Sequence, residues 1–204
     1  MTESKRKFDK NIESILILET IYDFLYNQIT VCDISEILRA QYVMTVSALD
    51  FYIHEVVRDG LLQSFERQES ISSLRKVSIP LDIVKVLLNI ENQFERKQLL
   101  NEAIKAITSK DSYQSPKAIE QALGLLNIKC IWSKLYENSD ESAEGMKKKL
   151  ALIVNRRNKI AHEADINFLT GEKEPIDKQV VIDCLNYIGC FVARVDHVIE
   201  SNFI

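Results

Sequence analysis

Residues 177–200 read DKQVVIDCLNYIGCFVARVDHVIE. Val181, Cys184, Leu185, Ile188, Phe191, Val192, Val195 and Ile199 recur at three- and four-residue steps, the period that lays side chains along one side of a helix. Residues 33–59, DISEILRAQYVMTVSALDFYIHEVVRD, are apolar around much of the same circumference, which predicts a central, buried helix. One clean stripe and one all-round apolar helix define the two partners of a helical core.

Composition agrees. The chain has 204 residues, with 5 Gly and 3 Pro, 46% hydrophobic and 27% charged residues, and a net charge of -4. So few chain-reversing residues exclude a many-stranded sandwich or barrel. The apolar share is too high and the net charge too small for disorder. The longest apolar runs are only a handful of residues, too short to span a bilayer, and Met1 to Lys7 lack the apolar run of a signal peptide. The expectation is a soluble, cytoplasmic, all-α protein of one domain. Cys32, Cys130, Cys184 and Cys190 form no CxxC pair and have no histidine at ligand spacing, so no zinc site is expected; each sits in an apolar stretch and reads as a small hydrophobe.

Working outward, a first helix is predicted over about 9–28, with Ile12, Ile15, Leu16, Leu18, Ile21, Tyr22 and Leu25 as its apolar stripe. Residues 30–33 break it. Asp33 followed by Glu36 predicts an N-cap with a reciprocating glutamate for the helix to about Asp59, where Gly60 marks a bend or an end. Residues 64–79 are polar and read as a connection. Pro80 opens a helix to about 108, and Ser115-Pro116 starts a short element near 116–126. Trp132 and Leu135 form an apolar patch before the polar turn 138–142. Helices over about 143–163 and 177–200 complete a bundle of about five to seven.

The stretch 146–165, MKKKLALIVNRRNKIAHEAD, carries the chemistry. Residues 147–159 contain Lys147, Lys148, Lys149, Arg156, Arg157 and Lys159 and no acid, so a +6 window leaves -10 for the remainder of the chain. A basic patch on an acidic protein points to a local polyanion site; a solvated helix face is the alternative. Met146, Leu150, Ile153, Val154, Ile160 and Ala161 cluster on one side, and Arg157 falls among them. An arginine on an apolar face must snorkel, pair with a carboxylate or line a cleft. Asp50 is a candidate carboxylate for it. His162 follows five residues later, about 140° round an ideal helix, so one continuous helix does not bring the two together. Either the helix ends near His162 or a second copy completes the site.

Arg157-Asn158-Lys159-Ile160-Ala161-His162 resembles the R-x4-H motif of HEPN-domain proteins. Ser47-Ala48-Leu49-Asp50 with His54-Glu55, and the run from Arg157 to Asp165 followed by a loop and a last helix, resemble further signatures of the RiboL-PSP subgroup. The resemblance follows the order of helices over nearly the whole chain, with about thirty residues as its specific part. It implies a HEPN-like helical bundle and a metal-independent endoribonuclease without cofactor, acting as a homodimer in which two motifs face each other. It places Arg157 and His162 in the cleaving centre with Asn158 assisting. Family members often act in phage defence or toxin–antitoxin pairs under an inhibitory or sensor protein, and some only bind.

These residue types suit the reaction. RNA supplies its own nucleophile, the 2′-hydroxyl. His162 can take or give a proton near neutral pH, and Arg157 offers a planar fork to the phosphate. Lys159, Arg156 and Lys147 to Lys149 are candidates for the RNA backbone. Ser47, Asp50 and His54 share one face of the second helix; a hydrolase triad is rejected, since no strained elbow surrounds Ser47, and a buried polar network supporting the cleft is preferred. Trp132 and the aromatics Tyr22, Phe24, Tyr26, Tyr42, Phe51 and Tyr52 read as packing, and His197 as core edge. The alternative to the ribonuclease is a non-catalytic helical module that binds RNA or a protein.

Overall fold

The computed structural model describes residues 1–28, 32–67, 77–137 and 139–203. Among them are eight helices and no strand: α1 (Glu3–Gln28), α2 (Ser35–Glu66), α3 (Leu81–Asn89), α4 (Gln93–Thr108), α5 (Pro116–Gly124), α6 (Ile131–Tyr136), α7 (Ala143–Glu163) and α8 (Lys178–Phe203). The fold is all-α, as composition and the stripe of α8 required. Parts of the expected breaks at 30–33, 64–79 and 138–142 lie outside the described residues.

α2 is the axis of the bundle and touches α1, α4, α5, α7 and α8. Val46, Leu49, Tyr52, Ile53 and Val57 have no exposed surface, which follows from the all-round apolar pattern. On α8, Val181, Cys184, Ile188, Phe191, Val192, Val195 and Ile199 are buried as the stripe demands. Trp132 is buried and its ring stacks on Phe191 at 5.3 Å.

Several boundaries differ from the expectation. The single helix over 80–108 is two, because Asn92 caps a new start: its side chain accepts from the backbone N–H of Phe94 at 2.9 Å while Ile90 is extended. That split is what takes the count beyond seven. α2 does not end at Gly60 but continues to Glu66. Its capping box is not formed. Asp33 accepts from the backbone N–H of Ser35 at 2.8 Å and stands outside the helix, while Glu36 turns to Lys173 and Arg39. The stripe of α1 is only partly covered: Ile15 is buried, but Leu16 and Ile21 are about two-fifths exposed, and Phe24 and Tyr26 face outward. Phe51 is also exposed. Three cysteines, Cys32, Cys130 and Cys190, are exposed, so only Cys184 behaves as a core hydrophobe. Among the described residues no helix is long and apolar enough to cross a membrane.

Candidate functional site

α7 opens on Ser142, whose hydroxyl accepts from the backbone N–H of Gly145 at 3.0 Å. Leu150, Ile153 and Val154 are buried, and Met146 and Ile160 pack against the same core. Tyr187 donates to the Met146 carbonyl at 2.7 Å and Tyr42 to that of Ile153 at 3.4 Å, so α8 and α2 both hold this helix by its backbone.

Arg157 continues the inward row, three residues after Val154 and four after Ile153. It is half-buried. Its Nη1 donates to Asn158 Oδ1 at 3.2 Å, its Nε is buried without a hydrogen-bond partner, and no carboxylate pairs with it among the described residues. The carboxylate expected for it is engaged elsewhere. Asp50 accepts from the backbone N–H of Tyr113 and lies 3.5 Å from Ser112 Oγ and 3.9 Å from His54 Nε2. His54 packs its ring on Tyr113 at 4.4 Å, and Ser47 donates to its own helix at the Val43 carbonyl. Ser47 is exposed, and Asp50 and His54 are half-exposed, so they form no buried network; Asp50 and His54 instead fasten the turn before α5 to α2. Burial there pushes the Tyr113 hydroxyl up to about 12, with Asp111 and Asp50 adding to it.

His162 stands on the opposite side from Arg157. α7 ends at Glu163, so the helix does end near His162, but His162 itself is still helical and stands exposed in the last turn. Five residues of regular helix set the two side chains about 140° and about 7.5 Å of rise apart. Asn155, Ala151 and Lys148, at seven, eleven and fourteen residues before His162, share its outward face. Asn155 and Asn158 line an open groove of about 580 Å³ with Ser115, Pro116, Lys148 and Leu152.

The six cations of the window divide sharply. Lys147 pairs with Glu120 at 2.6 Å and lies over the Trp132 ring, and Lys149 lies 5.3 Å over the Tyr187 ring. Arg156 donates to Asp165 Oδ2 at 2.7 Å and to the Pro175 carbonyl at 3.2 Å. Lys147 and Arg156 are thus engaged with carboxylates of the protein itself, and Lys149, though exposed, with an aromatic ring. Lys148 is 75% exposed with only Glu144 at 3.9 Å, and Lys159 is exposed with no ion pair among the described residues.

Beyond His162 the chain turns through Ala164 and Asp165, at φ 50° and 60°. Left-handed backbone costs a non-glycine residue about 1–2 kcal/mol. The turn is closed by a hydrogen bond from the Asp165 N–H to the Lys159 carbonyl at 3.1 Å. Asp165 has no exposed surface, and its Oδ2 also accepts from Arg39 Nε at 2.9 Å. Sequence alone gives no role to Arg39 or to Asp165, which it marks only as the end of the motif run; an acid directly after the motif and an arginine inside an apolar helix were the available signals. No group of three or more His, Cys, Asp or Glu residues that could hold a metal occurs among the described residues.

A family model described as RiboL-PSP-HEPN matches residues 9–201. No curated protein and no solved structure matches the chain.

Proposed function

The chain belongs to the RiboL-PSP-HEPN family, and on that premise we propose that it is a metal-independent endoribonuclease whose site is shared between two copies. The observation that carries the reading is Arg157: a permanent cation on the inward face of α7, with a buried Nε that has no partner, and no carboxylate pairing with it, among the described residues. A guanidinium left with open donors in a partly desolvated place is a receptor for a phosphate.

The 2′-hydroxyl of RNA attacks its neighbouring phosphorus, the bond to the 5′ oxygen breaks, and the products carry a 2′,3′-cyclic phosphate and a 5′-hydroxyl. His162 removes the 2′ proton or supplies one to the leaving oxygen. Arg157 stabilises the charge of the pentacoordinate state, and Asn158 fixes the guanidinium plane through its Oδ1 contact at 3.2 Å. The divergence of about 140° between Arg157 and His162 supports a composite site, in which His162 of one protomer serves beside Arg157 of the other. Lys148, Lys149 and Lys159, the exposed cations of the window, guide the backbone.

The test is cleavage of total RNA in EDTA by the parent, Arg157→Ala, His162→Ala and a refolded mixture of the two variants. Loss in each variant with partial recovery in the mixture is expected, because a heterodimer retains one intact pair. Cleavage that persists in both variants, or a strictly monomeric active protein, overturns the site. RNA bound without cleavage by the folded parent supports the non-catalytic binding module.

A further inference from the structure

We infer that Asp165 is a positioning residue: with Arg39 and Arg156 it clamps the last turn of α7 and so holds His162 in place. The inference rests on the ribonuclease reading above for its consequence, though not for its geometry.

His162 lies one residue from the end of its helix, and helix ends open at little cost. A proton-transferring group has to stay within about 0.5 Å of its productive position. The local sequence does not supply that order, because α7 ends through two successive left-handed, non-glycine residues. The order comes from the clamp. A single oxygen, Asp165 Oδ2, receives Arg39 Nε at 2.9 Å and Arg156 Nη2 at 2.7 Å. Arg39 is itself buried and belongs to the second turn of α2; its Nη2 donates to the Glu174 carbonyl at 2.7 Å, and its Nη1 to Ser35 Oγ at 2.6 Å. Arg156 Nη2 also reaches the Glu174 carbonyl, at 3.4 Å, and the Glu174 N–H donates to the Asp165 carbonyl at 2.8 Å.

The clamp therefore brackets the motif. It grips the residue before Arg157 and the residue three after His162, and ties both to α2 and to the segment returning toward α8. Stability alone explains this arrangement poorly. Buried ion clusters rarely stabilise more than apolar packing of the same volume, and here Asp165 Oδ1 remains buried without a partner among the described residues. A fixed geometry at the end of α7 is what such a cluster supplies.

Two variants of the full chain test this. Arg39→Met with Asp165→Leu replaces the buried pair by apolar groups, leaving Arg156 to reach solvent. Arg156→Gln cuts the link beside Arg157 and leaves Arg39 and Asp165 paired. Each is followed by thermal melting, amide hydrogen exchange, and kcat and KM for RNA cleavage. In the folded double variant, exchange at residues 160–165 accelerates at least tenfold while α2 and α8 stay protected, and kcat falls about 30-fold with KM within about threefold of the parent. Arg156→Gln shows the same pattern at about a third of the size and decides the matter if the double variant does not fold. Unchanged exchange at 160–165, or an unchanged kcat in a folded variant, overturns the clamp. If the parent cuts no RNA, the ribonuclease reading falls, and the exchange measurement still decides whether Asp165 orders the turn that carries His162.

Discussion

Gly60 lies so close to Leu126 that a Cβ placed on it would meet Leu126 Cδ2 at 2.6 Å, Cδ1 at 2.8 Å and Cγ at 3.2 Å. This glycine does not end α2; its lack of a side chain lets the segment after α5 pack against the central helix. Gly60→Ala gains about 1 kcal/mol in helix propensity but overpacks a buried leucine at about 1–3 kcal/mol, so a net loss of about 1 kcal/mol is expected. Urea denaturation measures it, and Leu126→Ala in the same chain should reduce the loss, since it clears the space. A stabilised Gly60→Ala would mean that Leu126 moves aside freely.

The lysines of α7 should separate in RNA binding. Lys159→Ala and Lys148→Ala each remove a solvent-facing cation, so each should lower the slope of log affinity against log salt by about one. Lys147→Ala should leave that slope unchanged, because its ammonium group pairs with Glu120 and lies over the Trp132 ring. Titration of labelled single-stranded RNA at several salt concentrations checks this; equal slopes for all three variants would contradict the division.

Thiol reactivity should follow exposure. Cys32, Cys130 and Cys190 are exposed, while burial pushes the Cys184 thiol up to about 12. Three thiols per chain are therefore expected to react with an aromatic disulfide reagent in the native protein, and the fourth only after unfolding. Fast labelling of Cys184, read by peptide mass, would show that the contact between α2 and α8 opens readily.

Acid should unfold the protein partly through Glu55. Burial alone would push this carboxyl up, but hydrogen bonds from Lys7 and Arg58 outweigh it and hold it below its ordinary value. A depressed carboxyl contributes stability that is fully present above the ordinary value of about 4.3 and is lost as pH falls through the folded value. Glu55→Gln should cost about 1–3 kcal/mol at pH 7, since a buried acceptor is weakened beside two cations. It should also flatten the decline of stability below about pH 4. Unfolding free energies at pH 7 and pH 3.5 test both; a decline as steep as in the parent would assign the acid sensitivity to other groups.

Legibility varied with the kind of residue. Helices that bury one broad stripe, such as α8, or all sides, such as α2, follow directly from the spacing of Leu, Ile, Val and Phe. So do starts marked by local chemistry: Ser115-Pro116 caps α5 where the sequence places it, and α7 begins directly after the polar turn 138–142, with Ser142 as its cap. Asn92 carries the same kind of signal, and its cap divides the helix expected over 80–108. The continuation of α2 past Gly60 was not legible, because the reason lies in Leu126, sixty-six residues away. In the candidate site, the inward placement of Arg157 and its divergence from His162 follow from helical phase alone. The partner of Asp50 does not: Tyr113 comes from a loop that periodicity cannot place.

The sequence by itself determined an all-α bundle, its central and flanking helices, the basic window and the motif within it, because these depend on periodicity, capping and composition along one segment. Tertiary structure decided which cations remain for a ligand. Arg156 and Arg157 are adjacent and chemically identical, yet Asp165 captures the first, and the second has no carboxylate among the described residues. That outcome depends on where the turn after α7 sets its carboxylate and on Arg39 reaching it from α2 across 126 residues of sequence. Charge can be read along a chain, but pairing is a matter of distance in space.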